Sequence, residues 1–113
     1  MTMNPEIKQE WLDLLATNPP QIKRRLGTKK GNCVEGLLCE IAVKHGVIEK
    51  YYNEQDGLFY YGSMRMSTST PTEVDKWSGY SDQIINDDVD NLALLNDEGL
   101  TFAQLSDIIK YFL

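Results

Sequence analysis

The sequence predicts an α+β fold: one compact domain in which about four helices pack on a small antiparallel sheet, a β-hairpin. Three observations carry this reading. Apolar residues recur at helical spacing in Ile7, Trp11, Leu14 and Leu15, in Val34, Leu37, Leu38, Ile41 and Ala42, and in Phe102, Leu105, Ile108, Ile109 and Phe112. Between the second and third of these stripes, residues 47–52 and 58–61 are rich in β-branched and aromatic side chains and flank the turn-forming run Asn53-Glu54-Gln55-Asp56-Gly57. The chain is 113 residues long, near the modal domain size, and shows no internal repeat or interdomain linker, so residues 1–113 form a single domain.

Each element has local signals. Asn4 caps a helix with Pro5 in its first turn and Glu6 at the positive end of the dipole, and Asn18-Pro19-Pro20 stops it. Asn32 and Glu35 have capping-box spacing ahead of a central helix that Gly46 closes. Gly36 inside that helix costs about 1 kcal/mol relative to alanine, which predicts a close helix or aromatic contact at that point. After the hairpin, residues 63–69 can add a short third strand. Thr70-Pro71-Thr72-Glu73 then opens a short helix carrying Val74 and Trp77 and ending at Gly79. Residues 80–91 read as a polar loop, Leu92, Leu94 and Leu95 as an apolar turn, and Thr101 with Gln104 as the capping box of a terminal helix.

Composition narrows the class of function. With 42% hydrophobic and 25% charged residues, the chain has the makeup of a folded domain rather than a disordered one. No apolar run approaches the roughly 18 residues that cross a bilayer, and residues 1–6 lack a signal-peptide pattern, so the expected location is cytoplasmic, with no membrane. The net charge of −6 disfavours nucleic acid as a partner. Residues 1–56 carry eight basic and eight acidic side chains and residues 57–113 three and nine, so the whole acidic excess lies in the second half.

Within the first half, Lys23, Arg24, Arg25, Lys29 and Lys30 crowd into eight positions, with Gly27 and Gly31 between and beside them. The segment is either a solvated connector or an anion contact, in which backbone N–H groups and Arg forks grip oxygens. Asp82, Asp87, Asp88, Asp90, Asp97 and Glu98 make either a solvated face or a docking surface for a basic partner. Tyr51, Tyr52, Phe59, Tyr60 and Tyr61 lie on the hairpin, where period-two geometry turns adjacent rings to opposite faces. One face packs inward, and rings on the other, with Tyr52, Tyr60 and Tyr61 as candidates, offer a contact surface.

Catalysis and metal binding find little support. Cys33, Cys39 and His45 are spaced by six, which turns them roughly 120° apart around a helix and keeps them from sharing one ion. Two cysteines cannot build a multi-bridge framework, so both are read as reduced, core-packed thiols. The run Asp87-Asp88-Val89-Asp90 lacks the glycine and distal glutamate of a calcium loop. No nucleophile, base and orienter set assembles, so the expectation is a non-enzymatic protein with no cofactor and no metal.

Three stretches in order resemble a family of short, uncharacterised proteins found largely in bacteriophages and prophages: Asn4-Pro5-Glu6-Ile7-Lys8 leading to Trp11; Cys33-Val34-Glu35-Gly36-Leu37-Leu38-Cys39-Glu40; and residues 92–102, with Asn96-Asp97-Glu98-Gly99 at their centre. The helix of residues 71–79, ending Trp77-Ser78-Gly79, is similar too. Family members commonly carry two adjacent cysteines where this chain has Cys33-Val34, so no metal or redox role carries over. The resemblance implies a phage-encoded protein that acts by contact on a host or phage protein in the host bacterial cytoplasm, as an inhibitor of a host enzyme or defence system. The alternative is a small-molecule or nucleotide-signal binder that uses the basic loop and the hairpin tyrosines.

Overall fold

The computed structural model describes residues 3–81 and 91–113. In chain order they form α1 (Pro5–Ala16), β1 (Gly27–Thr28), β2 (Gly31–Asn32), α2 (Val34–Lys44), β3 (Lys50–Asn53), β4 (Leu58–Tyr61), α3 (Thr72–Ser78), α4 (Leu92–Asp97) and α5 (Phe102–Phe112). The class is α+β, with five helices and one four-stranded antiparallel sheet of order β2-β1-β4-β3 among the described residues.

Helix α1 starts where Asn4 Oδ1 accepts the N–H groups of Glu6 and Ile7 at 2.9 and 3.2 Å, satisfying donors that have no partner inside the helix. It buries Ile7, Trp11, Leu12 and Leu15 against α5 and α2. Trp11 is fully buried, meets Tyr80 edge to face at 5.4 Å, and donates its indole N–H to the Val34 carbonyl at 3.0 Å. Helix α5 begins with the capping box of Thr101 and Gln104 and completes the core with Phe102, Leu105 and Ile109. Each such fully buried side chain contributes about 1.5 to 3 kcal/mol by leaving water.

Helix α2 departs from the sequence reading at its start. Asn32 belongs to β2 and spends its side-chain amide on the Leu26 carbonyl, so the cap is Cys33, whose Sγ accepts the Gly36 N–H at 3.4 Å. Glu35 points inward, fully buried, and accepts the Tyr80 hydroxyl at 2.6 Å. Gly36 faces neither a helix nor an aromatic ring. A Cβ there would overlap the Leu26 carbonyl oxygen, so the glycine lets the 22–26 segment lie directly on the helix.

The other differences are local. The basic segment is not a loop throughout, since β1 and β2 make a two-residue ladder within it. Residues 63–69 form turns instead of a third strand, with Met66 making one isolated bridge to Tyr61. The apolar turn at residues 92–95 is the helix α4, capped by Asn91. Pro71 precedes α3 without a side-chain cap, because Thr70 donates to Asp75 at 2.7 Å and Glu73 accepts the Ser63 N–H at 2.9 Å. The β2 edge of the sheet is covered by the chain itself: Asn32 donates to Pro20 O at 3.1 Å, and Ile22 donates to Asn32 O at 3.0 Å.

Candidate functional site

The register of the hairpin sorts its aromatic rings. Lys50 lies opposite Tyr61, Tyr51 opposite Tyr60, Tyr52 opposite Phe59 and Asn53 opposite Leu58. Directly opposed residues share a face, so Lys50, Tyr52, Phe59 and Tyr61 project to one side and Tyr51, Asn53, Leu58 and Tyr60 to the other. The first side meets the helices. Tyr61 is fully buried there, donating its hydroxyl to Glu40, which also accepts from Lys50 at 2.8 Å. Burial, and then the bond to Glu40, push the Tyr61 hydroxyl well above its usual pKa. Gly27 keeps the space beside that hydroxyl free, because a Cβ there would overlap the Tyr61 oxygen. Tyr60 rather than Tyr61 is therefore the ring of the adjacent pair that reaches the surface.

The second side is an open face. The Arg65 guanidinium stands 4.7 Å from the centre of the Tyr51 ring, and Tyr51 donates to Glu49 at 2.8 Å. Tyr60 donates to Asp56. That bond, with the Leu58 N–H, holds the Asp56 carboxyl below its usual range, and the Arg25 charge adds to the effect. The same bond raises the Tyr60 hydroxyl. Tyr51, Tyr52, Asn53, Gln55, Tyr60 and Arg65 line a shallow groove of about 580 Å³. Arg65 was not singled out by its sequence context. It sits in a left-handed turn with φ 52°, a conformation whose cost for a non-glycine residue is about 1 to 2 kcal/mol.

The strand order brings the basic segment beside the hairpin. Strand β1 pairs with β4 through Thr28 and Leu58, and Lys29, at the β1–β2 turn, places its ammonium 4.6 Å from the Tyr52 ring centre. Lys23, Arg24, Arg25, Lys29 and Lys30 are all exposed. Among the described residues, the ion pairs join Glu10 to Lys44 and His45 and Glu40 to Lys50, and these five cations form none. Their backbone is nevertheless held firmly. Asn96 donates to Ile22 O at 2.8 Å, Asp97 accepts the Arg24 N–H at 2.6 Å, and Leu26 donates to Ser67 O at 2.7 Å while its carbonyl accepts from Asn32 at 3.0 Å.

Asp87, Asp88 and Asp90, with Asp82, lie outside the described residues. Of their acidic companions, Asp97 is committed to the Arg24 backbone. Cys33 and Cys39 are buried free thiols, and burial pushes Cys33 up to about 12 and Cys39 well above its usual range. His45 ends α2, bonds Glu10 at 2.8 Å and lies against Trp77 at 5.7 Å, which ties α2 to α1 and α3. No group of three or more His, Cys, Asp or Glu among the described residues is placed to hold a metal ion. No helix among them is long and apolar enough to cross a membrane.

No curated protein and no solved structure matches the chain. Residues 3–113 match the family described as a domain of unknown function, DUF8296. That span takes in α1, the glycine-pinned start of α2, the hairpin and the Asn96-Asp97 clamp together, and the chain belongs to the DUF8296 family.

Proposed function

We propose that this is a non-enzymatic binding protein that acts by protein–protein contact, and that its contact surface is the outer face of the hairpin joined to the basic segment. The observation that supports the reading is the Thr28–Leu58 pairing of β1 with β4, which sets the basic segment beside the hairpin, where Lys29 stands 4.6 Å from the Tyr52 ring centre, and so brings together two features far apart in sequence. Tyrosine gives large, rigid area with a polar end, and cations beside such rings are common at recognition surfaces. The groove is open along its length, which suits a macromolecular partner better than an enclosed small molecule. The resemblance to phage and prophage proteins makes the partner a host or phage protein in the bacterial cytoplasm, which the contact would block.

The test is affinity capture from bacterial lysate with the wild-type chain and with Tyr60→Ala. A stoichiometric protein held by the wild type and lost from the variant supports the reading. A partner held equally by both removes the hairpin face from it.

A further inference from the structure

The clamp on residues 22–26 is more elaborate than a solvated connector needs. Two residues of α4, one of β2, the Ser67 carbonyl and the absence of a side chain at Gly36 all fix it. Arg24 is held with φ 71°, a left-handed conformation that a free arginine seldom adopts. What this framework presents is a set of cations without acidic partners among the described residues, on a chain of net charge −6. Fixing charged side chains at their backbone lowers the ordering cost of binding.

Resting on the contact reading above, we infer that the basic segment is a preorganised docking site for an acidic segment of the protein partner, with Arg24 and Arg25 gripping its carboxylates and Lys29 and Tyr52 flanking it. Charge complementarity names the occupant. The five cations lie outside the hairpin groove and outside the three smaller clefts lined by Glu10, Gly46 and Asn4 with their neighbours, so a small anion finds no cavity among those at the cations. A nucleic acid is a long polyanion, which a chain of net charge −6 disfavours beyond so short a basic segment. A short carboxylate-bearing peptide segment matches the patch and ends where it ends.

The experiment uses the whole chain and fluorescence anisotropy with three labelled probes: a peptide of about ten residues alternating glutamate and tyrosine, its glutamine counterpart, and an oligothymidylate of similar length. The glutamate peptide is expected to bind about tenfold or more tighter than either control and to weaken about tenfold in Arg24→Gln with Arg25→Gln. Asp97→Ala separates preorganisation from charge counting. It removes a nearby negative charge, which by itself would tighten binding, yet it also frees the Arg24 backbone and is expected to weaken binding severalfold. Asp97→Asn keeps an acceptor for that N–H, loses the charge and is expected to bind at least as tightly as the wild type, which covers the case in which the alanine variant fails to fold. No binding of the glutamate peptide, equal binding of both peptides, or indifference to the arginine substitutions overturns the inference, and tighter binding of oligothymidylate assigns the segment to nucleic acid. A captured partner that is lost with Tyr60→Ala but retained by the arginine variant overturns this inference while leaving the contact reading intact.

Discussion

Asn96 Oδ1 accepts the backbone N–H of Val34 at 3.0 Å, so a side chain in the last turn of α4 satisfies one of the unpaired donors at the start of α2. The same amide donates to Ile22 O at 2.8 Å and its oxygen also accepts from Gln21 at 2.9 Å. One fully buried residue therefore locks two helices and the root of the basic segment together. Asn96→Ala strands the Val34 N–H and the Ile22 carbonyl away from their partner and is expected to cost about 1 to 3 kcal/mol. Urea unfolding measures it, and a loss below about 0.5 kcal/mol would show that the clamp is not structural.

Gly36→Ala pits helix propensity against packing. In an open helix the change would gain about 1 kcal/mol. Here the new methyl meets the Leu26 backbone, which cannot swing aside as a side chain end could, and the net expectation is a loss of about 1 to 3 kcal/mol. A melting temperature at or above that of the wild type contradicts the packing.

The adjacent tyrosines are expected to separate stability from binding. Tyr61→Ala empties a fully buried site and leaves Glu40 without one donor, at about 3 to 5 kcal/mol. Tyr60→Ala is expected to stay within about 1 kcal/mol of the wild type, since its ring lies on the outer face. Equal losses in thermal unfolding would contradict the assignment of faces.

The buried thiols set an alkaline limit. In the folded chain Cys33 ionises only near 12, against 9.0 when free, so its thiol is neutral in both states below 9 and the stability is fully present there. As pH rises from 9 towards 12, only the unfolded state ionises, and stability falls by up to about 1.4 kcal/mol per pH unit for each such thiol. Chemical denaturation at pH 8, 9 and 10 measures the slope, and Cys33→Ala is expected to flatten it. At pH 8 neither thiol should react with a disulfide reagent until denaturant is added.

The elements legible from sequence are those whose signals are local. Asn4 with Pro5, Thr101 with Gln104, and the aromatic runs around residues 53–57 each determine structure within a few positions. What escaped depends on distant partners. The strands β1 and β2 have two residues each, too short to show a period, and exist because Leu58 pairs with Thr28 and Pro20 with Asn32. Asn32 looked like a cap because its sheet role is invisible from the residues beside it. Tyr80 looked like loop and is buried against Trp11. For the site, the sequence combines the tyrosines and the five cations only in the small-molecule alternative, and the strand order that sets them side by side is a property of the fold. Arg65 could have been suspected from nothing local, since its place over Tyr51 follows from the left-handed turn that carries it.

Among the described residues, Tyr111 on α5 is 83% exposed and is an aromatic competitor to the hairpin face. Photo-crosslinking in bacterial cells, with a benzophenone amino acid at position 60 or at position 111, compares the two directly. The contact surface described here predicts a discrete protein adduct from position 60, lost when Arg24 and Arg25 are changed to glutamine, and none from position 111. Adducts from position 111 alone, or from neither position, would contradict it.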